Sequence, residues 1–321
     1  MKPYVFITRR MPDEIIEKLE ETCTVSMWEK QEEPVPQERL EEEIKQADGL
    51  FCTVTEPIDR PLIESAENLK VIATMAVGYN NIDVEAAAEK DITIAHTPGV
   101  LSETTADLTF ALLMAAARRL PEGIETIKNN EWKTWSPFFL TGQDIHHATL
   151  GIIGMGRIGE AVAKRGTGFD MEIIYHNRTR KQEAEEKLGA RYVEMDELLK
   201  TSDFICVMTP YTKDTHHLID REAFKKMKNT AIFINSSRGG IVDEEALYEA
   251  LKNGEIRGAG LDVFEGEPVG ADHPLLSLPQ VTALPHIGSA SESTRMAMAD
   301  MTANHILQVL SGKEADHEVK L

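Results

Sequence analysis

The ten residues LGIIGMGRIG at positions 150–159 decide the fold class of this chain. An apolar run leads into a G-x-G-x-x-G pattern, and the residues that follow continue at helical spacing. Between a strand and a helix, this pattern is the phosphate-binding turn of a dinucleotide-binding unit. Gly154 makes the tight turn, Gly156 lets the backbone approach a pyrophosphate, and Gly159 lets the helix pack against the strand. The alternative is an ordinary tight turn. We expect cofactor contacts from Gly154, Met155, Gly156, Arg157, Ile158 and Gly159.

The residue that follows the next predicted strand indicates which dinucleotide binds. That strand is Ile173–His176, and at its end an NAD-selective protein places Asp or Glu to accept a hydrogen bond from the adenosine ribose. This chain has Asn177 there, followed by Arg178, Thr179 and Arg180. A carboxylate would repel a 2′-phosphate, whereas guanidinium groups can bind it in a fork. We therefore predict a preference for NADP(H), with NAD(H) as the second cofactor; the alternative is that the arginines only solvate this corner.

Apolar strand candidates and amphipathic helix candidates alternate on both sides of this segment. The strand candidates are mostly continuous apolar runs, which is typical of a parallel sheet covered by helices on both faces. The sequence therefore predicts an α/β fold with doubly wound parallel sheets. The strand candidates are Tyr4–Thr8, Leu50–Val54, Val71–Met75, Ile92–Ala95, Leu150–Ile153, Ile173–His176, Phe204–Met208, Ala231–Asn235, Gly260–Val263 and Val281–Leu284. The helix candidates include a helix opened by Pro12 and the segments Ser102–Arg118, Arg157–Arg165, Glu183–Leu188, Asp243–Asn253 and Ser291–Ser311. The acidic run Glu38–Glu43 is predicted to be a solvated helix face.

Length and composition exclude several classes of protein. With 321 residues, of which 42% are apolar and 27% charged, the chain is typical of a soluble globular protein with two domains. A net charge of −20 disfavours binding to nucleic acid or to anionic lipid. The three cysteines are scattered, and neither a membrane span nor an apolar leader is present. We expect a cytoplasmic protein that binds small molecules.

Three further polar residues follow predicted strands. Arg238 follows Ala231–Asn235, Glu267 follows Gly260–Val263, and His286 follows Val281–Leu284. Because ligands bind at the carboxyl ends of strands in open α/β sheets, we expect these side chains to meet. Their chemistry suits carbonyl reduction: the Arg holds a substrate carboxylate and polarises the adjacent C=O, the His donates a proton, and the Glu orients the His. The alternative for each residue alone is a structural ion pair or an ordinary loop residue.

In these segments the chain resembles the D-isomer-specific 2-hydroxyacid dehydrogenases. The similarity runs from about Val71 to Gly288 and includes the glycine turn and the segments around Arg238, Glu267 and His286. The resemblance implies an oxidoreductase that reduces a small 2-keto acid, glyoxylate or hydroxypyruvate, with these three residues as its catalytic set. It also implies substrate binding by the backbone N–H groups of Val77 and Gly78. Cofactor contacts are implied for Asp262, Thr105, Thr209 and Pro210.

The same resemblance implies a domain arrangement and a homodimer. Two Rossmann-like domains are expected, with a dinucleotide-binding domain over residues 99–287 inserted into a substrate-binding catalytic domain formed by residues 1–98 and 288–321. The dimer would be built on Ser102–Arg118 and the region of Trp135, and that Trp would approach the substrate pocket of the partner subunit. The alternative for Trp135 is an ordinary core aromatic residue.

Some alternatives stay open, and one departure from the family pattern is clear. Most family members carry an acid where this chain has Asn177, while Glu267 distinguishes the chain from formate dehydrogenases, which have Gln there. The alternative substrates for the same catalytic residues are 2-ketogluconate, pyruvate and phosphohydroxypyruvate. With pyruvate the enzyme would be a D-lactate dehydrogenase, and with phosphohydroxypyruvate a phosphoglycerate dehydrogenase. A non-catalytic dinucleotide-sensing protein is the remote alternative. No metal site is expected, because the rings of the pairs His146-His147 and His216-His217 are predicted to point in different directions.

Overall fold

The computed structural model describes residues 2–320, which form two compact units. One unit comprises the described residues up to Leu101 together with those from Ala290 onward, and the other comprises Ser102–Ser289. In chain order the second unit is therefore inserted into the first. The changeovers lie a few residues beyond the predicted seams at Pro98 and Gly288.

The first unit is built on a five-stranded parallel sheet with the order β2-β1-β3-β4-β5. Its strands are β1 (Tyr4–Ile7), β2 (Thr24–Met27), β3 (Gly49–Cys52), β4 (Val71–Thr74) and β5 (Thr93–Ala95). Its helices are α1 (Asp13–Glu20), α2 (Gln37–Ile44), α3 (Arg60–Ser65), α4 (Val84–Glu89) and the last helix of the chain, α12 (Glu292–Leu310). Separate apolar clusters cover the two faces of the sheet, which explains why its central strands are fully buried.

The second unit is built on a seven-stranded parallel sheet with the order β12-β11-β10-β9-β6-β7-β8. Its strands are β6 (Thr149–Ile153), β7 (Glu172–His176), β8 (Arg191–Tyr192), β9 (Phe204–Val207), β10 (Ile232–Asn235), β11 (Gly258–Leu261) and β12 (Val281–Ala283). Its helices are α5 (Ser102–Ala117), α6 (Leu120–Lys128), α7 (Arg157–Thr167), α8 (Gln182–Leu188), α9 (Met195–Thr201), α10 (Arg221–Lys226) and α11 (Glu244–Lys252). The strand order reverses between β6 and β9, and ligands bind at such a switch point in doubly wound sheets.

The predicted fold class of two doubly wound parallel sheets is confirmed. All ten strand candidates overlap observed strands, although the segment predicted as Gly260–Val263 pairs as Gly258–Leu261. Two strands are absent from the sequence prediction, β2 and β8. Both lie at sheet edges, where one side of the strand has no neighbour and a continuous apolar run is not needed. No helix in residues 2–320 is both long and apolar enough to cross a membrane.

The acidic run at positions 38–43 forms most of α2, but it is not wholly a solvated face. Glu43 is buried, with 2% of its surface exposed. Its carboxylate accepts a short hydrogen bond from Tyr4 Oη and pairs with Arg39. The prediction is therefore wrong at this residue, because a tertiary partner on β1 and an arginine one helical turn away compensate its charge.

Candidate active site

The predicted glycine turn connects β6 to α7. Gly154 has a φ of +102°, and a Cβ atom there would lie 2.7 Å from the backbone of Met208 and Thr209. A Cβ atom on Gly159 would lie 2.2 Å from the carbonyl oxygen of Gly154, so glycine is required at both positions. At Gly156, by contrast, a Cβ atom would meet nothing within 4 Å. The open side of the turn therefore lies at Gly156, at the N-terminus of the 11-residue helix α7, where a phosphate group fits.

The other residues predicted to contact the cofactor, in the glycine turn and in the segment after β9, lie at the same end of the sheet. Met155 is fully buried and packs into the core, so only its backbone is available to a ligand. Arg157 is exposed at the first position of α7, and Ile158 packs against the core from the same turn. The close approach to Gly154 brings Thr209 to the turn, and Pro210 is exposed beside it.

After β7, the two arginines predicted to bind phosphate differ in whether they already form an ion pair. Arg180 forms two hydrogen bonds of 2.7 Å with the carboxylate of Glu185 on α8, and this contact, with a further hydrogen bond from Tyr175, lowers the pKa of Glu185 to about 2. Arg178 is exposed and forms no ion pair within the part of the chain that the structure describes. Asn177 donates from Nδ2 to the carbonyl oxygen of Thr179 at 2.8 Å, which closes the turn. Arg178 is therefore the more available cation, and Glu185 is a residue that the sequence reasoning missed.

A tight turn after β10 presents Arg238. Asn235 accepts from the backbone N–H of Ser237 at 3.1 Å and donates to the carbonyl oxygen of Arg238 at 2.9 Å, so its amide fixes the turn. Burial lowers the pKa of Arg238, and the charge of Glu267 opposes that shift. An arginine with this partner stays protonated in any ordinary buffer. Gly239 allows the turn to approach the segment after β11, because a Cβ atom there would lie 1.9 Å from the carbonyl carbon of Phe264.

The predicted histidine and glutamate are in direct contact. His286 Nδ1 lies 2.6 Å from Glu267 Oε2, and the other carboxylate oxygen accepts from the backbone N–H of Phe264 at 2.9 Å. Burial alone would raise the pKa of Glu267, but the hydrogen bond and charge of His286, that N–H group and the charge of Arg238 together lower it. Glu267 is therefore ionised at neutral pH. Since Glu267 occupies Nδ1, the half-exposed ring of His286 has Nε2 for a reacting group.

Asp262 lies fully buried behind this pair, immediately after β11. Its Oδ1 atom accepts from the N–H of Ile287 at 2.8 Å, whereas Oδ2 has no hydrogen-bond partner within residues 2–320. Burial raises the pKa of this carboxyl group, and the hydrogen bond from the backbone of Ile287 and the charge of His286 partly offset the shift. A Cβ atom on Gly288 would lie 3.2 Å from Oδ2 and 3.4 Å from the side chain of Thr105 on α5. An unpaired acceptor beside a glycine and a threonine fits a primary amide such as the carboxamide of nicotinamide.

The first unit holds the loop that carries Val77 and Gly78. The carbonyl oxygen of Ala76 accepts from the N–H of Thr97 at 2.8 Å, and that of Val77 lies 2.8 Å from Nδ1 of His96. In a planar trans peptide the N–H points opposite to the C=O, so the N–H groups of Val77 and Gly78 both point away from residues 96 and 97. Neither N–H group has a partner in the described part of the chain. Two adjacent unpaired N–H groups form a concave site for an anion.

Trp135 lies in the segment between α6 and β6 with 76% of its surface exposed, so the alternative of an ordinary core aromatic is wrong. The exposure is shared by its neighbours. Seven large apolar side chains within residues 120–139 are exposed by half or more, namely Leu120, Ile124, Ile127, Trp132, Trp135, Phe138 and Phe139. Exposed large apolar side chains grouped in one segment are typical of a protein–protein interface.

One expectation about the histidine pairs is wrong. His146 and His147 do lie perpendicular, at 90°, but the rings of His216 and His217 stack with centroids 3.9 Å apart and planes at 25°. The left-handed φ of +48° at His217 removes the usual divergence of successive side chains. The carboxylate of Glu265 lies within 4.8 Å of both rings. One ligand atom each of His216, His217 and Glu265 lies close enough to the others for the three residues to be candidate metal ligands.

Comparison with known proteins identifies relatives that all belong to one family of oxidoreductases. Residues 110–288 match the sequence profile of "D-isomer specific 2-hydroxyacid dehydrogenase, NAD binding domain". A glyoxylate reductase of Korarchaeum cryptofilum is 47% identical over 314 residues, which cover 98% of this chain and 94% of the relative. The glyoxylate/hydroxypyruvate reductase B of Klebsiella pneumoniae is 46% identical over 97% of this chain and 96% of its own.

A solved structure supports the same relationship. It is an NADPH-dependent glyoxylate/hydroxypyruvate reductase of Sinorhizobium meliloti in complex with NADP and malonate. Its TM-score is 0.87 at 31% identity, covering 99% of this chain and 97% of that chain.

Proposed function

This chain belongs to the D-isomer specific 2-hydroxyacid dehydrogenase family, and we propose that it reduces glyoxylate or hydroxypyruvate to the corresponding D-2-hydroxy acid. The observation that carries the proposal is the contact of 2.6 Å between His286 and Glu267, beside Arg238 at the ends of adjacent strands of one sheet. A cation, a carboxylate and an imidazole in this arrangement can bind a keto acid and supply a proton to its carbonyl oxygen.

His286 is the proton donor in this proposal. In its protonated state the ring donates from Nδ1 to the carboxylate of Glu267 and offers the Nε2 proton to the substrate oxygen. Glu267 is ionised, so its carboxylate accepts the Nδ1 proton and fixes the orientation of the ring. After the transfer the neutral ring keeps its Nδ1 proton, because Glu267 continues to accept it, and the ring orientation is unchanged. A reduced nicotinamide supplies the hydride when it is bound.

Arg238 binds and polarises the substrate. Its guanidinium donates a hydrogen bond of 2.7 Å to the carbonyl oxygen of Ser237, and its planar array of N–H groups suits a carboxylate and the adjacent keto oxygen. We also propose that the N–H groups of Val77 and Gly78 bind the carboxylate of the substrate, as their shared direction suggests. Asp262 and Thr105 would hold the nicotinamide, and the turn at Gly154–Gly159 would hold the pyrophosphate.

The cofactor of this proposal is NADP(H), with NAD(H) bound more weakly. The support is the neutral Asn177 in place of an acid, with the exposed Arg178 beside it. Because Arg180 is already paired with Glu185, Arg178 carries the larger part of the phosphate contact. The relative from Sinorhizobium meliloti is NADPH-dependent, which agrees with this choice.

A homodimer accompanies the proposed activity. The seven exposed apolar side chains within residues 120–139 need a cover, and a second copy of the chain buries them in matching pairs under two-fold symmetry. Trp135 would then reach the substrate pocket of the partner subunit. Light scattering coupled to size-exclusion chromatography should give a dimer mass, and a monomer at micromolar concentration would contradict this part of the proposal.

A panel of 2-keto acids tests the activity directly. The values of kcat/KM for glyoxylate, hydroxypyruvate, 2-ketogluconate, pyruvate and phosphohydroxypyruvate are measured with NADPH and then with NADH. We expect glyoxylate or hydroxypyruvate with NADPH to give the highest value. Tight dinucleotide binding without turnover of any keto acid would overturn the proposal and favour a dinucleotide-sensing protein.

A further inference from the structure

We propose that His96 is a positioning residue for the substrate carboxylate, acting through the carbonyl group of Val77. The inference rests on the proposed function, because it takes the N–H groups of Val77 and Gly78 as the carboxylate site. His96 itself does not touch the substrate in this proposal. Its ring fixes the direction of the peptide group that does.

The hydrogen bond between the ring of His96 and the carbonyl oxygen of Val77 can have only one direction. Nδ1 lies 2.8 Å from the carbonyl oxygen of Val77, and because a carbonyl can only accept, Nδ1 carries the proton and donates it. The same peptide group contains the N–H of Gly78, which points in the opposite direction. Holding the carbonyl therefore holds the N–H. The backbone N–H of Thr97 does the same for the preceding peptide, with a bond of 2.8 Å to Ala76.

Without the hydrogen bonds to the carbonyl oxygens of Ala76 and Val77, the peptide groups of this loop would tend to rotate. Parallel N–H groups on adjacent residues place their positive ends side by side, an arrangement that costs free energy until an anion binds. Rotation of the Val77–Gly78 peptide would relieve that repulsion and remove one donor from the site. Asn81 restrains the far end of the loop by donating from Nδ2 to the carbonyl oxygens of Thr53 at 3.0 Å and Glu56 at 2.8 Å. The Val77 carbonyl is held by the ring of His96.

His96 is held in turn by the C-terminal segment of the chain. Its backbone N–H donates to the carbonyl oxygen of His317 at 3.2 Å, and Val319 donates to Ile94 at 2.8 Å, so this segment runs along the end of β5. The ring of His317 lies 3.3 Å from the buried ring of His305 on α12. The ring of His96 also meets the edge of Tyr79, with centroids 5.5 Å apart. A side chain fixed from several sides can transmit its position to the loop.

The substitutions His96→Ala, His96→Asn and His96→Gln separate positioning from folding. Alanine removes the donor, and asparagine places Nδ2 the same number of bonds from Cβ as Nδ1 of histidine, whereas glutamine places its amide one methylene further out. We expect His96→Ala and His96→Gln to raise the KM for glyoxylate about tenfold, with kcat and the KM for NADPH within about twofold of wild type. His96→Asn should restore the KM to within about threefold of wild type. His146→Ala, at an exposed histidine outside the site, is the control and should behave as wild type.

The inhibition constant of oxamate, a carboxylate analogue of the substrate, should follow the glyoxylate KM across the four variants. An unchanged glyoxylate KM in both His96→Ala and His96→Gln overturns the inference. An equal rise in the glyoxylate KM in all three His96 variants, together with a lower melting temperature, also overturns the inference. A purely structural role of His96 would give that result. If His96→Ala does not fold, the comparison of the Asn and Gln variants decides. Failure of the proposed function is distinct, since wild-type protein would then reduce no keto acid.

Discussion

His286 and Glu267 are joined by a contact of 2.6 Å between Nδ1 and Oε2, although 19 residues separate them in the chain. They meet because β11 and β12 are adjacent parallel strands whose carboxyl ends lie at one edge of the sheet. The N–H of His286 also donates to the carbonyl oxygen of Asp262, at 2.9 Å, which holds the two segments together. In the proposed mechanism the pair couples a charged acceptor to a proton donor, and the proposed reactivity depends on that charge.

Removing the charge of Glu267 should weaken the reductase. Glu267→Gln keeps the size of the side chain but no longer offers a charged acceptor to Nδ1 of His286. We expect kcat with glyoxylate to fall about ten- to hundredfold near pH 7. The control is Glu265→Gln, at an exposed neighbour. An unchanged kcat in Glu267→Gln would show that the carboxylate does not support the donor.

Removing the imidazole should abolish turnover and spare cofactor binding. In His286→Ala the substrate oxygen has no proton donor, so kcat should fall by about a hundredfold or more. The Kd for NADPH, measured by its fluorescence, should change little because the proton donor is not a cofactor contact. A comparable loss of NADPH affinity would refute the assignment of His286.

Arg178 should discriminate between the two nicotinamide cofactors. Arg178→Ala removes the exposed guanidinium, so we expect the KM for NADPH to rise about tenfold while the KM for NADH barely changes. Adding Arg180→Ala should increase the effect only slightly, because Arg180 is paired with Glu185. Equal weakening of both cofactors would mean that these arginines do not bind the extra phosphate.

Glu185 should limit the contribution of Arg180. In Glu185→Gln the guanidinium of Arg180 loses its ionic partner and becomes available to a 2′-phosphate, so the KM for NADPH should fall by about two- to fivefold. The control is Glu183→Gln, on the same helix but paired with Lys187. Steady-state kinetics with both cofactors measure the effect. A higher KM for NADPH would show that Arg180 acts from within its ion pair.

His305 should make the protein sensitive to mild acid. Burial, together with the charges of His317 and His96, outweighs the opposing charge of Asp316 and lowers the pKa of His305 to about 4, against about 6.5 in an unfolded chain. Between these two pKa values the unfolded state binds a proton that the folded state does not. The contribution of His305 to the free energy of unfolding is therefore fully present above pH 6.5 and is lost as the pH falls towards 4. The loss is on the order of 3 kcal/mol.

His305→Leu removes that titration and should flatten this part of the stability profile. Urea unfolding of both proteins at pH 7.5, 5.5 and 4.5 measures the difference. His147→Leu, at an exposed histidine, provides the control. A wild-type free energy of unfolding that stays constant from pH 7.5 to 4.5 would contradict the prediction.

The sequence was sufficient for the fold class and for placing Arg238, Glu267 and His286 at neighbouring strand ends, whereas the catalytic roles proposed for them come from the family resemblance. Continuous apolar runs predict buried parallel strands, and the glycine spacing identifies the turn at Gly154–Gly159. Once parallel strands are assumed, Arg238, Glu267 and His286 must lie at one edge of a sheet, because each follows a strand. These conclusions depend on local periodicity and on the direction of the strands, both of which are written in short stretches of sequence.

Tertiary structure decided which of these groups are engaged and which are available. The bond between Arg180 and Glu185 depends on how α8 leaves the turn, and the unpaired Oδ2 of Asp262 depends on what packs around it. The exposure of Trp135 and the place of His96 behind the Val77 carbonyl likewise follow from contacts between distant segments. Such contacts are set by the packing of whole elements, whose angles and separations leave no pattern in the neighbouring residues.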